Sequence, residues 1–199
     1  APRAQVYAAA VFESDRDRGE IASTVSLVRA LDWLMSSGVD VVNISLAGPP
    51  NRLLEAALGR ATDQGVMILA AAGNGGPVAE PMYPAAYDSV VAVTAVDSAG
   101  QVYRLANRGK YLDLAAPGVS VMHARAGGGY SASSGTSFAV PFAATAAARL
   151  RQLEPGVDAL EILVNSAQDL GPPGRDDIYG YGLLRPGVAS APRIATSDM

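Results

Sequence analysis

An α/β fold built on a mostly parallel sheet is predicted by two features of the sequence. Apolar runs alternate with segments of helical periodicity, and the runs at residues 39–45 and 66–72 are largely apolar along their length. Such runs are typical of strands that are buried on both faces of a parallel sheet. Strands that alternate with helical segments predict right-handed crossovers, so we expect one sheet with helices packed against it.

The elements can be placed in order along the chain. The first helix has Ser23 or Thr24 as its cap and Gly38 as its stop. Three further helices are predicted at residues 52–64, 137–153 and 158–166, and strands at residues 5–11, 39–45, 66–72, 90–96, 111–115 and 119–123. No internal repeat and no linker divides the sequence. We therefore expect one domain over residues 1–199, with residues 191–199 as a flexible tail.

The composition is that of a globular protein and excludes several functional classes. Apolar residues make up 49% of the chain and charged residues 17%, and a net charge of -4 offers no basic surface for nucleic acid. The absence of cysteine excludes a thiol nucleophile, disulfides and thiolate zinc sites. The longest apolar stretch, residues 66–72, is too short to span a membrane, and residues 1–11 have no signal-peptide pattern.

Ser137 is the first candidate for a catalytic group. It stands in Gly-Thr-Ser-Phe-Ala-Val-Pro at residues 135–141, where a glycine-containing turn leads into the longest helix. A hydroxyl there lies at the positive end of the helix dipole, beside N–H groups without helical acceptors, so an adjacent oxyanion would be stabilised. We expect Pro141 to be tolerated because first-turn amides have no partner. The alternative for a serine before a helix is an ordinary N-cap.

Two further segments place candidate binding groups at the ends of predicted strands. Asn74 follows the strand at residues 66–72 and could donate its side-chain amide to an oxyanion. The alternative is a plain turn, since Asn-Gly is a common turn pair. Residues 43–49 end the preceding strand, where backbone could pair with an extended peptide. Functional groups of parallel α/β sheets gather at the carboxyl ends of strands, which favours a common site.

Together these segments, in this order, resemble the subtilisin family of serine proteases. The matching pieces are Asn-Ile-Ser-Leu at residues 43–46, Ala-Ala-Gly-Asn at residues 71–74 and the segment at residues 135–141. Further landmarks are Tyr83-Pro84 and the segments at residues 113–118 and 179–184. The resemblance runs from residue 1 to about residue 189, and it implies a three-layer, subtilisin-like α/β fold with a mostly parallel central sheet.

The resemblance implies hydrolysis of peptide bonds through an acyl-enzyme on Ser137. Asn74 would donate a hydrogen bond to the oxyanion, together with the N–H of Ser137. Five other residues would contact the substrate, the first three along its backbone and the last two at the pocket for the residue before the cut. They are Ser45, Leu46, Ala47, Gly73 and Met82.

A catalytic base for Ser137 is not predicted from this sequence. The family's triad follows the order Asp, His, Ser, and its first two motifs are expected upstream of the segment that resembles residues 1–11. The only histidine, His123, is predicted to be structural or on the surface. Lys110 lies in a turn-like stretch and is not expected to form a Ser-Lys dyad. We therefore expect this chain alone to be inactive. The alternative function is an inactive subtilisin-like module that binds peptides or a partner.

The resemblance also sets expectations for partners. The strand that carries the Asp would lie between residues 5–11 and 39–45, so the chain should lack the N-terminal strands and the His-bearing helix. Exposed strand edges would then pair with an N-terminal fragment or with a second copy. Substrates would be proteins or peptides, with no nucleic-acid or membrane partner. We expect no cofactor and no metal site in this chain, with calcium possible in the full-length domain. The family implies a secreted or periplasmic protein.

Overall fold

The computed structural model describes residues 3–15 and 19–185, so the predicted tail at residues 191–199 lies outside the described residues. The described part of the chain forms eight strands and four helices. The strands are β1 (Phe12–Asp15), β2 (Gly19–Ala22), β3 (Val41–Ile44), β4 (Met67–Ala71), β5 (Val91–Val96), β6 (Leu112–Pro117), β7 (Val121–Ala124) and β8 (Tyr130–Ser133). The helices are α1 (Thr24–Ser36), α2 (Arg52–Asp63), α3 (Thr136–Leu153) and α4 (Ala159–Ser166).

Four parallel strands form the central sheet in the order β3-β4-β5-β6, which confirms the predicted α/β class. Every residue of β4 and β5 is buried. Alternate side chains of β4 enter two separate cores: Leu69 packs with residues of α3 and α4, whereas Ile68 packs with residues of α1 and α2. The apolar runs in the sequence therefore arise because helices cover both faces of the sheet.

The helices begin at polar caps, except for α3. Ser23 accepts a hydrogen bond from Ser26 N in α1, Asn51 accepts from two amides of α2, and Asp158 does the same for α4. The cap of α3 is Gly135, which has no side chain to accept such a bond. The small residues of α3, including fully buried Ala139, let the helix pack closely on the sheet. None of the helices in the described residues is long and apolar enough to cross a membrane.

The predicted strand at residues 5–11 is wrong. These residues form neither helix nor strand, because no described strand lies beside them to complete a hydrogen-bonded ladder. Instead, β1 pairs antiparallel with β2 just downstream. A second hairpin pairs β7, which was predicted at residues 119–123, with β8, which was not predicted. The remaining predicted elements are found with shifts of at most two residues at their ends.

Candidate active site

Ser137 is the second residue of α3, and its hydroxyl contacts the segment that follows β3. Its Oγ donates to the carbonyl oxygen of Ser45 at 3.1 Å, and Ser45 Oγ donates to the carbonyl oxygen of Ser137 at 2.9 Å. This reciprocal pair ties the beginning of α3 to the carboxyl end of β3. A carbonyl oxygen is not a base, so Ser137 is not activated as a nucleophile in this arrangement.

Pro141 explains why the Ser137 carbonyl is available to Ser45. Because α3 begins at Thr136, Pro141 is its sixth residue and lies inside the helix, beyond the first turn in which we expected it. A proline there has no N–H to donate to the carbonyl four residues earlier, which is that of Ser137. The Ser45 hydroxyl takes the place of the absent donor. The proline thus frees the carbonyl of the candidate nucleophile for a contact with another element.

Asn74 follows β4 and lies beside the beginning of α3. Its Oδ1 accepts from Thr136 N at 3.0 Å, so Asn74 supplies the cap that Gly135 cannot. A backbone amide can only donate, so this bond places the side-chain oxygen of Asn74 toward Thr136 N. The Nδ2 group lies beside Gly135, 3.2 Å from the position that a Cβ atom there would take. Among the described residues, no acceptor contacts Asn74 Nδ2, and the side chain is exposed. The arrangement leaves an amide donor free beside the N-cap of α3, two residues before Ser137.

Thr136 is a site residue to which the sequence analysis assigned no role. Its side chain is fully buried, and its Oγ1 accepts from Gly73 N at 3.2 Å and donates to Asn74 Oδ1 at 3.2 Å. Two bonds from Thr136 therefore hold the Asn74 amide in one orientation. The only signal in the sequence was its position between Gly135 and Ser137, which does not reveal a partner 62 residues away.

The residues predicted to contact substrate lie around Ser137 and Asn74. Ser45, Leu46 and the exposed Ala47 follow β3 in sequence, and the adjacent Gly48 forms two backbone bonds with Tyr83, at 2.8 and 2.9 Å. That bridge brings residues 45–48 next to Met82. A Cβ atom on Gly73 would lie 3.1 Å from Met82 Cγ, so Met82 packs directly over Gly73. The structure thus brings together all seven candidate site residues, and their roles stay predictions.

The two residues considered as a base, His123 and Lys110, form no hydrogen bond with Ser137. His123 Nδ1 lies 2.9 Å from the carbonyl oxygen of Ala124, and its Nε2 lies 2.8 Å from Ser133 Oγ and 3.2 Å from Ser131 Oγ. Its ring packs against Phe138, with 5.0 Å between the ring centroids, and makes no hydrogen bond to Ser137. Lys110 is exposed in the turn before β6. Neither side chain activates Ser137 in this arrangement.

A shifted pKa is found at Tyr111, whose phenol contacts the residue before Gly73. Burial raises the pKa of Tyr111 to about 12, against a smaller opposing effect of a side-chain hydrogen bond with Asn107, and the phenol donates to the carbonyl oxygen of Ala72 at 3.0 Å. Among the described residues, no group of three or more His, Asp or Glu side chains could hold a metal ion.

Known proteins with similar sequences and structures are proteases. The sequence pattern of the Subtilase family matches residues 1–182. Subtilisin BL from Lederbergia lenta is 37% identical over 194 residues, which are 96% of this chain and 69% of that protein. The minor extracellular protease Epr from Bacillus subtilis (strain 168) is 36% identical over 189 residues, which are 93% of this chain and 29% of that protein. The chain thus spans only part of the length of these relatives.

Solved protease structures share the fold. The prenylagaramide maturation protease PagA aligns with a TM-score of 0.73 and 29% identity, over 86% of this chain and 68% of that chain. The S41 psychrophilic protease aligns with a TM-score of 0.75 and 28% identity, over 85% of this chain and 65% of that chain. These matches confirm the subtilisin-like α/β fold. The family pattern covers most of the sequence. Subtilisin BL is 37% identical, and this chain covers 69% of its length. The chain belongs to the subtilase family of subtilisin-like serine proteases.

Proposed function

We propose that this chain is the nucleophile-bearing part of a serine endopeptidase. The observation that carries the proposal is the free amide of Asn74 at the beginning of α3, the helix whose second residue is Ser137. Asn74 Oδ1 is bonded to Thr136, so Nδ2 is left to donate to an oxyanion. The Ser137 N–H belongs to the first turn of α3 and supplies the second donor.

The proposed reaction is acyl transfer. Ser137 Oγ would attack the carbonyl carbon of the peptide bond while a general base takes its proton, and Asn74 Nδ2 would stabilise the oxyanion of the tetrahedral intermediate. Cleavage of the C–N bond releases the amine, which takes the proton, and water then hydrolyses the ester on Ser137. The Ser45 carbonyl, which now accepts from Ser137 Oγ, would be free for a substrate N–H once the base takes over that proton.

The base and its Asp partner would come from a segment outside these 199 residues. His123 is the only histidine in the chain, and its ring nitrogens already contact Ala124, Ser131 and Ser133. The space for such a segment is a cavity of about 890 Å³ that lies between residues 3–12 and β3. Side chains of α1 and α3 also line it, including Leu31 and Ala144. An added strand there would pair with the free edge of β3.

The second candidate function is a catalytically inactive module that binds peptides or a partner. The observation that favours it is the Ser137 hydroxyl bonded to the Ser45 carbonyl, with no base beside it among the described residues. Such a module would keep the backbone groove at residues 45–47 and the Asn74 donor. It would bind a peptide without cleaving it.

Labelling with a fluorophosphonate, read by intact mass, tests the proposal. We expect one adduct per chain when the parent protein's upstream segment is present. The chain alone should be labelled at less than about one hundredth of the rate of that assembly, because a general base contributes ~10²–10⁴-fold to the rate. Ser137→Ala should abolish the adduct, whereas Ser98→Ala, at an exposed serine outside the site, should leave it unchanged. An unlabelled assembly that still binds a peptide would contradict the enzyme and support the inactive module.

Substrates would be proteins or peptides with a small or medium apolar side chain before the cut. The packing of Met82 over Gly73 supports a shallow pocket at this position. A secreted or periplasmic location is supported by the extracellular relative from Bacillus subtilis. The proposal includes no metal site in this chain, with calcium possible in the full-length domain.

A further inference from the structure

The loop that carries Asn74, at residues 72–80, is held by hydrogen bonds from the connection between β5 and β6. Leu105 O accepts from Gly76 N at 2.8 Å, and the phenol of Tyr111 donates to Ala72 O at 3.0 Å. These bonds reach the loop from 29 or more positions further along the chain. The loop is therefore shaped by a distant segment as well as by its own turn residues.

Asn107, in the connection between β5 and β6, forms the most hydrogen bonds to this loop. It is fully buried, and it forms three hydrogen bonds to the loop. Its N–H donates to Gly73 O at 3.0 Å, its Oδ1 accepts from Gly75 N at 2.7 Å, and its Nδ2 donates to Glu80 O at 3.1 Å. The first two partners are the residues on either side of Asn74. The Asn74 backbone is thus fixed on both sides while its side chain stays exposed.

The packing at Gly73 makes the position of the loop sensitive to Asn107. Gly73 has a φ of +109°, and a Cβ atom there would lie 2.9 Å from Asn107 Nδ2. The Asn107 side chain supplies both a donor and an acceptor to the loop, which an aliphatic side chain of the same size cannot do. Its loss would leave the Gly75 N–H and the Glu80 carbonyl without these partners, and the loop would shift to find others.

We propose that Asn107 is the positioning residue of the oxyanion site, and that it acts through Asn74. The inference rests on the proposed function, in which Asn74 donates to the oxyanion of the acyl-transfer reaction. Thr136 sets the rotation of the Asn74 side chain, and Asn107 sets the position of the backbone from which that side chain extends. Displacement of a catalytic donor by about 1 Å can lower a rate by ~10²-fold.

The rate of phosphonylation of Ser137 in the assembled protein tests this role. We expect Asn107→Leu to lower the rate by about 10- to 100-fold. Asn74→Ala should lower it by ~10²–10³-fold, the range known for removal of such a donor from a subtilisin. When Asn74 is already Ala, the added Asn107→Leu should change the rate less than about twofold, because coupled residues are not additive. Asn165→Leu in α4 is the matched control and should have no effect on the rate.

A second measurement reads the loop without any activity. In the ¹⁵N-labelled chain as purified, Asn107→Leu should shift or broaden the Asn74 side-chain amide resonances and speed hydrogen exchange of the Gly75 N–H by at least about tenfold, whereas Asn165→Leu should change neither. Unchanged Asn74 resonances would overturn the proposal, even if Asn107→Leu lowers the melting temperature. An additive effect of the two substitutions would also overturn it. If Asn74→Ala does not slow labelling, the oxyanion role in the proposed function fails, and the resonances still decide whether Asn107 positions Asn74.

Discussion

The two edges of the central sheet end in different ways. At one edge the C-terminal segment covers β6: Ala115 N donates to Gly182 O at 2.9 Å, and Leu184 N donates to Ala115 O at 2.8 Å. At the other edge, β3 has β4 as its only strand neighbour among the described residues. One edge is thus completed within the chain, and the other presents unpaired backbone to a cavity.

Side chains reinforce the closed edge. Arg175 forms an ion pair with Asp113 at 3.0 Å, and Ala92 N donates to the same carboxylate at 2.9 Å. Burial raises the pKa of Asp113 in spite of these two contacts, which act in the opposite direction. Leu184 at the end of the covering segment is buried in the core. Among the described residues, no ion pair lies at the open edge, and Asn43 at its surface is exposed.

The difference between the edges matches a difference between the two halves of the candidate active site. The oxyanion half, with Asn74, Thr136 and the first turn of α3, is assembled from elements that the chain supplies. The proton-transfer half would have to approach Ser137 near Ser45, which directly follows the open strand β3. The same completing segment would therefore supply both the next strand and the general base. The stability and the activity of the protein would then depend on the same segment.

The largest expected effect is at the closed edge, where Gly182→Ala should destabilise the fold. Gly182 has a φ of +120°, and a Cβ atom there would overlap the backbone carbonyl of Gln168. We expect a loss of about 3 kcal/mol in the free energy of unfolding, from backbone strain and from overpacking together. Urea denaturation followed by circular dichroism measures it.

Gly174→Ala is the matched control for this substitution. Gly174 lies in the same C-terminal segment with a φ of +85°, but no heavy atom lies within 4 Å of the position that its Cβ would take. Only the backbone penalty of about 1 kcal/mol remains there. Equal losses for the two variants would show that the covering segment is not held tightly against β6.

A slightly smaller effect is expected at the open edge, where an added strand should stabilise the chain. A peptide from the parent protein's upstream segment, at 100 times its Kd, would add about 2.7 kcal/mol to the free energy of unfolding. Met67 N donates to Asp40 O, so the backbone N–H and C=O groups of every second residue from Asp40 onward face β4. Asn43 is not one of these residues, and its N–H faces the cavity. Asn43→Pro should therefore block the stabilisation, measured as a shift in melting temperature.

Asn43→Ala controls for loss of the side chain, whose Nδ2 donates to Ser45 Oγ at 3.0 Å, and it should still bind the peptide. The peptide should also abolish any growth of the particle size with protein concentration, because a second copy would otherwise pair with the same edge. Stabilisation of Asn43→Pro by the peptide to the same extent as Asn43→Ala would show that the peptide does not add to β3.

Much of the fold could be predicted because its periodicity lies within single segments. The apolar run of β4 reflects burial of every residue, and the Ala-rich pattern of α3 reflects a face that packs closely on the sheet. Both signals lie within a single segment of the sequence. Residues 5–11 have strand-like composition too, but a strand also needs a partner, and the composition of a segment does not say whether one is present. The hairpin of β7 and β8 was missed in part because its strands are only four residues long.

The candidate site was predictable as residue types but not as a hydrogen-bond network. Ser137 and Asn74 stand in short motifs, so the sequence alone pointed to them. Thr136 and Asn107 act through partners 62 and 32 positions away, and neither spacing has a local pattern. The position of Pro141 inside α3 depends on where the helix begins, and helix ends are the least certain part of a prediction. The Asn74 loop contact therefore had to be found in the structure.

The smallest expected effect is a loss of stability at alkaline pH that arises from Tyr111. Because burial raises the pKa of Tyr111 from 10.0 to about 12, the folded state retains a proton that the unfolded chain loses, so stability holds below pH 10 and falls between pH 10 and 12. The phenol is only partly buried, so we expect the loss to be about 1 kcal/mol. Tyr111→Phe should remove this part of the alkaline decline, whereas Tyr130→Phe, at an exposed tyrosine of β8, should not. Equal declines in the wild type and Tyr111→Phe would contradict a raised pKa of the Tyr111 phenol.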